Sequence, residues 1–363
     1  MAHLPFALAH DYLTQRGGAE RVVASWVEAW PRAPLFTTLY DQASTFDDFA
    51  AVDVRVSPLN RLAYFRHHHR SALPLLPVAS RLTTIDAEVT LASSSGWAHG
   101  FNATGHLVVY CHAPARWLYQ TDRYLSRDGL SPLAQLSRPL LSRLREWDQR
   151  AAHRADTYIV NSTATQSLVH AVYGIEASVV APPVNPPHHL PETEQLGDVL
   201  VVARLLPYKN VDLALEVARL MPDVTFRVVG DGPLRDKLTA TAPTNVTMVG
   251  SLADEELWRE YVGTSVHLAL SHEDFGITPL EAAAVGRPTV ARRSGGYLDT
   301  ITSTTGILVE EQNFSTHSVV ESLRQALTTT WDTQQLRDHA ATFSTDEHIR
   351  RLRDAAGGLL PQN

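Results

Sequence analysis

Short apolar runs rich in Val, Ile and Leu alternate along the chain with longer amphipathic stretches, the rhythm of parallel strands joined by crossover helices. The pattern predicts strands at Phe6–His10, Val89–Ala92, Leu107–Tyr110 and Thr157–Asn161, then at Val199–Ala203, Phe226–Val229, Val246–Val249 and Val266–Leu270. The fold class is therefore α/β, with one sheet in each half. Val23, Trp26, Val27 and Trp30 fall on one face of a helix that follows Gln15-Arg16-Gly17-Gly18-Ala19-Glu20. A second helix reads as Val211–Leu220, capped by Asn210.

Between the halves lies Ala181-Pro182-Pro183-Val184-Asn185-Pro186-Pro187-His188-His189, where four prolines in six positions exclude helix and interior strand. The domain junction is placed there, giving residues 1–182 and 192–342 as the two domains. A cleft between two such sheets is the expected ligand site.

Composition narrows the class. At 363 residues, 44% hydrophobic and 19% charged, the chain is long enough for two cores and ordinary for a globular protein. One cysteine, Cys111, excludes a disulfide framework or a multi-cysteine zinc module and fits a reducing cytoplasm. The net charge of -8 is uneven: residues 1–170 hold 16 arginines against 14 acids, a balance of +2, and residues 171–363 hold 15 bases against 25 acids, a balance of -10. An acidic chain argues against nonspecific nucleic-acid binding. The start Met1–Ala7 has no basic leader and apolar core, so no signal peptide is expected. Val89–Ala115 carries no formal charge but is broken by serines, glycines and three histidines, and does not read as a membrane span.

Chemistry concentrates in Ser271-His272-Glu273-Asp274-Phe275-Gly276-Ile277-Thr278-Pro279-Leu280-Glu281. Thr278 reads as an N-cap with Pro279 behind it, and Thr278 with Glu281 makes a capping box that needs no ligand. Alternatively, Glu273 and Glu281 face one cleft, a diphosphate lies on the Phe275-Gly276-Ile277 turn, and a carboxylate accepts hydrogen bonds from sugar hydroxyls. Upstream, Arg204 and Lys209 sit at a strand end, where they read either as two solvated loop cations or as partners of a bound diphosphate. Lys209 is one of two lysines beside 29 arginines.

Glu273 and Glu281, with seven residues between them, resemble the E-x7-E signature of retaining family-4 glycosyltransferases, which have the two-Rossmann GT-B fold. The order of Ala203-Arg204-Leu205-Leu206-Pro207-Tyr208-Lys209-Asn210, Val229-Gly230-Asp231-Gly232-Pro233, Val246–Gly250, the acid pair, Ser294-Gly295-Gly296 and Gly306–Val309 resembles the same family. In the first half, the Gly17-Gly18 turn is similar to the one such enzymes place beside the donor diphosphate or acceptor. It is not G-x-G-x-x-G, which argues against a nicotinamide site. His112-Ala113-Pro114-Ala115-Arg116 resembles a strand-end segment of bacterial O-antigen and exopolysaccharide mannosyltransferases, in which that histidine lies near the transferred sugar. Asn161-Ser162 resembles the family's last strand before the cleft.

The resemblance implies a retaining hexosyltransferase that moves mannose from GDP-mannose to a hydroxyl of a glycan or lipid-linked acceptor. The implied catalytic residues are His112, Glu273, Arg204 and Lys209. The implied donor-binding residues are Gly17, Gly18, Asn161, Arg204, Lys209, Gly232, Glu273, Phe275, Gly276, Ile277 and Glu281, with Glu281 on the ribose. No cofactor or metal is implied, and no acid of the first domain stands out as a general base. Residues 343–363, with Ile349, Leu352 and Ala355 at helical spacing, would return to pack on the first domain as in similar proteins.

Asn60–Leu82 interleaves Arg61, Arg66, His67, His68, His69, Arg70 and Arg81 with Leu62, Tyr64, Phe65, Leu73, Leu75 and Leu76, and residues 116–154 add eight arginines with Trp117, Tyr119, Tyr124 and Trp147. These stretches read either as a solvated basic face or as a peripheral contact with an anionic membrane presenting the acceptor, on the inner face of the plasma membrane. Consecutive histidines on a helix point apart, so no metal site is expected there. Two other readings share the fold: a sugar-nucleotide 2-epimerase, and a non-catalytic nucleotide-sugar-binding partner subunit.

Overall fold

The computed structural model describes residues 3–73, 75–120 and 138–362. It divides into two compact units, Met1–Pro183 with Asp346–Asn363, and Val184–Thr345. Each is built around its own parallel sheet. Arg123, Tyr124 and Arg127 of the basic, aromatic stretch lie outside the described residues.

In the first unit the strands run β1 (Leu4–His10), β2 (Leu35–Thr37), β3 (Val54–Val56), β4 (Thr84–Ile85), β5 (Ala87–Ser94), β6 (Asn102–Ala103), β7 (His106–Cys111), β8 (Thr157–Val160) and β9 (Ser178–Val179). Seven of them form a sheet in the order β3-β2-β1-β5-β7-β8-β9, while β4 and β6 pair separately. Neighbours in the large sheet are parallel throughout. Both faces are covered, which is why Phe6–Ala9 and Leu107–Cys111 read as unbroken apolar runs and are buried. The strand order reverses between β1 and β5, where His10 lies opposite Ser93.

Trp26 and Val23 of helix Gly18–Ala29 cover one face together with Ile349 and Leu352 of the C-terminal helix Thr345–Ala355. That helix is also held by polar contacts. Trp26 Nε1 donates to His348 Nε2 at 3.0 Å, and His348 Nδ1 donates to the Ala181 carbonyl at 2.7 Å, so the ring is neutral with its proton on Nδ1. Burial brings the His348 pKa down to about 4. Trp30 Nε1 donates to the Pro361 carbonyl at 3.1 Å.

The second unit continues with β10 (Gly197–Val202), β11 (Phe226–Val229), β12 (Val246–Gly250), β13 (Thr264–Ala269), β14 (Thr289–Arg292) and β15 (Gly306–Val309). Their order, β12-β11-β10-β13-β14-β15, is that of a doubly wound nucleotide-binding sheet, with the reversal between β10 and β13. Among the described residues, no helix is long and apolar enough to cross a membrane.

Two expected caps are corrected. Thr278 is the first residue of helix Thr278–Ala284, Ile277 occupies the cap position in αR geometry, and no side chain caps that end, so there is no capping box. The Glu281 carboxylate accepts from Tyr261 Oη instead. Asn210 does precede helix Val211–Arg219, but in left-handed geometry at φ 54° and without a side-chain cap. Its Nδ2 donates to the Leu270 carbonyl at 3.0 Å, tying the β10 loop to the end of β13.

Candidate active site

In the second unit, the loops after β10, β11 and β13 bring together residues that are far apart in sequence. Lys209 Nζ lies 2.5 Å from Glu273 Oε1, across 64 positions. The same carboxylate oxygen accepts from Ser271 Oγ at 2.5 Å, and that hydroxyl also lies 3.0 Å from Tyr297 Oη. Both members of the ion pair are largely buried, with side chains 14% and 18% exposed. The pair is therefore held by a fixed frame rather than by two mobile surface chains.

Arg204 is exposed at the same loop, with Nη2 donating to Tyr208 Oη at 3.3 Å. Lys209 Nζ lies 5.1 Å above the Tyr208 ring, so one tyrosine contacts both cations. Gly232 belongs to the turn beside this loop: a Cβ there would stand 2.7 Å from the Leu205 carbonyl.

Glu281 is 8% exposed and accepts a hydrogen bond from Tyr261 Oη at 2.7 Å. Its partner tyrosine lies on helix Asp254–Val262. The turn between the two acids is set by packing. Gly276 sits at φ 82°, where a Cβ would meet the Tyr297 ring, and Gly296 lies so close to Phe275 that a Cβ would come within 2.3 Å of its Cα. Glu273 bridges to Gly295, and Gly296 N donates to the Glu273 carbonyl at 2.9 Å. Phe275 is buried against Phe343, with ring centroids 6.3 Å apart, so it is a core aromatic; Ile277 is half-buried.

In the first unit, the carboxyl ends of β1, β5 and β7 carry a buried polar file. His112 Nε2 lies 2.8 Å from Ser93 Oγ, which lies 2.9 Å from His10 Nδ1. His10 Nε2 in turn faces Glu20 Oε1 at 3.7 Å, and Gln15 Nε2 donates to that oxygen at 2.9 Å. Burial, then the positive charge of His10, brings the His112 pKa down to about 3. Asn161 Nδ2 donates to the His112 carbonyl at 3.0 Å, while Asn161 Oδ1 is buried without a hydrogen-bond partner.

Gly17 is the cap of helix Gly18–Ala29, and a Cβ there would lie 2.5 Å from Glu20 Oε2; at Gly18 a Cβ would meet nothing within 4 Å. The first glycine makes room for Glu20. The second leaves open space.

Two acids in this unit escape a reading of the sequence. Asp11, 2% exposed, accepts from the backbone N–H groups of Ser95, Trp97 and Ala98 at 2.5, 3.0 and 2.5 Å, closing the loop after β5. Glu20, 1% exposed, faces His10. In the sequence Glu20 looks like an ordinary first-turn helix acid. The available signal was His10-Asp11 at the end of an apolar run, the place where α/β proteins carry chemistry. Among the described residues, no group of three or more His, Cys, Asp or Glu could hold a metal ion.

Residues 16–187 match the family model described as Glycosyltransferase Family 4, and residues 188–342 match that described as Glycosyl transferases group 1. A GDP-mannose-dependent alpha-(1-6)-phosphatidylinositol monomannoside mannosyltransferase of Mycolicibacterium smegmatis is 30% identical over 155 residues, 37% of this chain and 41% of that protein. A GDP-mannose-dependent alpha-mannosyltransferase of the same organism is 35% identical over 136 residues, 35% of this chain and 36% of that one. The matched segments thus span less than half the length of these relatives. The crystal structure of Anabaena HepE in complex with UDP superposes with a TM-score of 0.69 at 19% identity, covering 98% of this chain and 100% of that one. With two doubly wound parallel sheets and two adjoining family matches that together run from residue 16 to residue 342, the chain belongs to the family-4 type of GT-B glycosyltransferases.

Proposed function

We propose that the protein is a retaining hexosyltransferase that moves mannose from GDP-mannose to a hydroxyl of a glycan or lipid-linked acceptor. The observation that carries this reading is the Lys209–Glu273 pair at the reversal of the second sheet. It sets a cation suited to a diphosphate beside a carboxylate suited to sugar hydroxyls, at the strand ends where doubly wound sheets bind nucleotides. The two Mycolicibacterium smegmatis relatives that use GDP-mannose support the choice of donor.

In this reading Arg204 and Lys209 grip the diphosphate, and Glu281, held by Tyr261, accepts from the ribose hydroxyls. Glu273 exchanges its contact with Lys209 for a sugar hydroxyl as the diphosphate takes over the lysine. The bond from the anomeric carbon to the β-phosphate oxygen breaks while the acceptor oxygen bonds the same face. The acceptor proton passes to the departing phosphate. Developing negative charge on that phosphate is what Arg204 and Lys209 stabilise, so no divalent ion is required. In the first unit, His112 and Asn161 are the residues assigned to a sugar, and Gly18 leaves its backbone open to a ligand, whereas Gly17 makes room for Glu20.

The acceptor arrives on an anionic membrane surface. Leu62, Tyr64, Leu75, Val78 and Leu82 are exposed among Arg61, His67, His68 and Arg81, which are exposed as well. Apolar side chains beside bases are the chemistry of an interfacial contact.

Thermal shift with GDP-mannose tests the donor assignment. A ligand that binds only the folded state stabilises it, more so the higher its concentration relative to its Kd, so the wild type is expected to melt higher with the donor and an Arg204→Ala, Lys209→Ala double variant to lose that rise. A double variant stabilised as much as the wild type contradicts the phosphate assignment.

A further inference from the structure

The file from Glu20 to His112 has a direction. Glu20 and His10 are 1% and 2% exposed, and Asp11 beside them is 2% exposed as well. A buried carboxylate requires a balancing cation. His10 supplies it: its Nε2 faces Glu20 Oε1 at 3.7 Å, and its pKa is raised although burial works the other way, because the Glu20 contact and then the Glu20 and Asp11 charges favour the imidazolium. Glu20 is correspondingly held below the usual carboxylate range, since His10 and Gln15 outweigh its burial.

An imidazolium donates from both ring nitrogens. His10 Nδ1 therefore donates to Ser93 Oγ, and the Ser93 hydroxyl has its proton left to give to His112 Nε2. His112 is neutral, so with Nε2 accepting, the ring proton must sit on Nδ1. If His10 were neutral with its proton on Nε2, every donor in the file would reverse and His112 would present a bare Nδ1.

We propose that Glu20, His10 and Ser93 are positioning residues that lock His112 as its Nδ1–H tautomer, so that it offers a hydrogen-bond donor to an oxygen of the transferred sugar. None of the three touches substrate. The lock itself stands on the geometry of the first unit; its purpose rests on the placement of His112 at the sugar proposed above. It also gives Gly17 a reason to be glycine, because a side chain there would displace the Glu20 carboxylate on which the direction depends.

Two readouts on the full-length protein separate the lock from its purpose. Ring-nitrogen NMR of 15N-histidine-labelled protein at neutral pH, with His112 assigned by comparison with His112→Gln, is expected to show a protonated Nδ1 and an unprotonated Nε2. In Ser93→Ala and in Glu20→Gln the His112 signals are expected to shift toward the other tautomer. Wild-type His112 protonated at Nε2, or signals unmoved in both variants, overturns the proposal. In the transfer assay, Ser93→Ala is expected to lower kcat about tenfold, the scale of one lost hydrogen bond, with the donor KM unchanged. Ser93→Thr, which keeps the hydroxyl, is expected to restore it. If His112→Gln transfers as well as the wild type while the tautomer is as expected, the placement of His112 at the sugar fails and the lock stands. If His112→Gln is impaired and Ser93→Ala is not, the positioning role fails.

Discussion

Lys209 and Glu273 show what a single contact adds to residues already picked out by type. As separate motifs they are a loop cation and a strand-end acid; 2.5 Å apart and mostly buried, they hold each other's charge before any ligand arrives. Removing one therefore changes what the other offers. Glu273→Gln frees Lys209 for a diphosphate while taking away the acid at the sugar, so its turnover is expected to fall more than about tenfold while GDP binds as tightly as to the wild type or tighter. Lys209→Ala is expected to weaken GDP. Calorimetry of GDP binding with both variants checks this, and weaker binding to Glu273→Gln would count against the division of roles. Arg204, Lys209 and Glu273 stand out as candidates in the sequence because they lie in strand-end loops, and Glu281 because it follows in the next helix. The His10–Glu20 file was not, because its members come from a strand end and a helix first turn, and only the register of β1 against β5 sets Ser93 beside His10.

Elements were legible where they are long and apolar. Phe226–Val229 matches β11 residue for residue, and the other expected strands differ by at most two residues at either end. Leu35–Thr37, Val54–Val56, Thr84–Ile85, Asn102–Ala103 and Ser178–Val179 escaped because two or three residues make no run that stands out, Thr289–Arg292 because it follows the Gly286-Arg287-Pro288 turn, and Gly306–Val309 stood out only as a motif. Helix starts were harder still. A Thr–Glu spacing fits a capping box, but Glu281 is drawn inward by Tyr261, a contact no local rule contains. The C-terminal helix packs in the first unit, with two of its three expected apolar positions, Ile349 and Leu352, 4% and 0% exposed; Ala355 is only half-buried, and Ala356, just past the helix, is 2% exposed instead. Leu352→Ala empties a fully enclosed site beside Trp26 and is expected to cost about 2–5 kcal/mol, measured by urea unfolding. A loss well below 1 kcal/mol would mean that the helix contributes little to that core.

At the scale of the whole molecule, buried neutral histidines set the response to acid. The pKa values of His112 and His267 are brought down to about 3 and that of His348 to about 4, each first of all by burial. The unfolded chain takes up these protons as pH falls through about 6.5, while the folded protein does not until near 4. Stability therefore falls with pH across that window, by up to about 1.4 kcal/mol per pH unit for each such group. His10, whose pKa is raised, works the other way and stabilises the fold below its own titration. Unfolding free energy is expected to be lower at pH 5 than at pH 7.5, and equal or greater stability at pH 5 would show that the histidines are not buried neutral. The charge split has its counterpart in the site: an acidic second half places Arg204 and Lys209 together at the reversal of its sheet. What they are there to do is tested most directly by incubating the protein with GDP-mannose, a mannosyl-accepting glycolipid and a chelator, and determining the anomeric configuration of the product by NMR. An α-mannoside formed without divalent metal is expected; a β-mannoside, or donor left intact with every acceptor, would overturn the assignment.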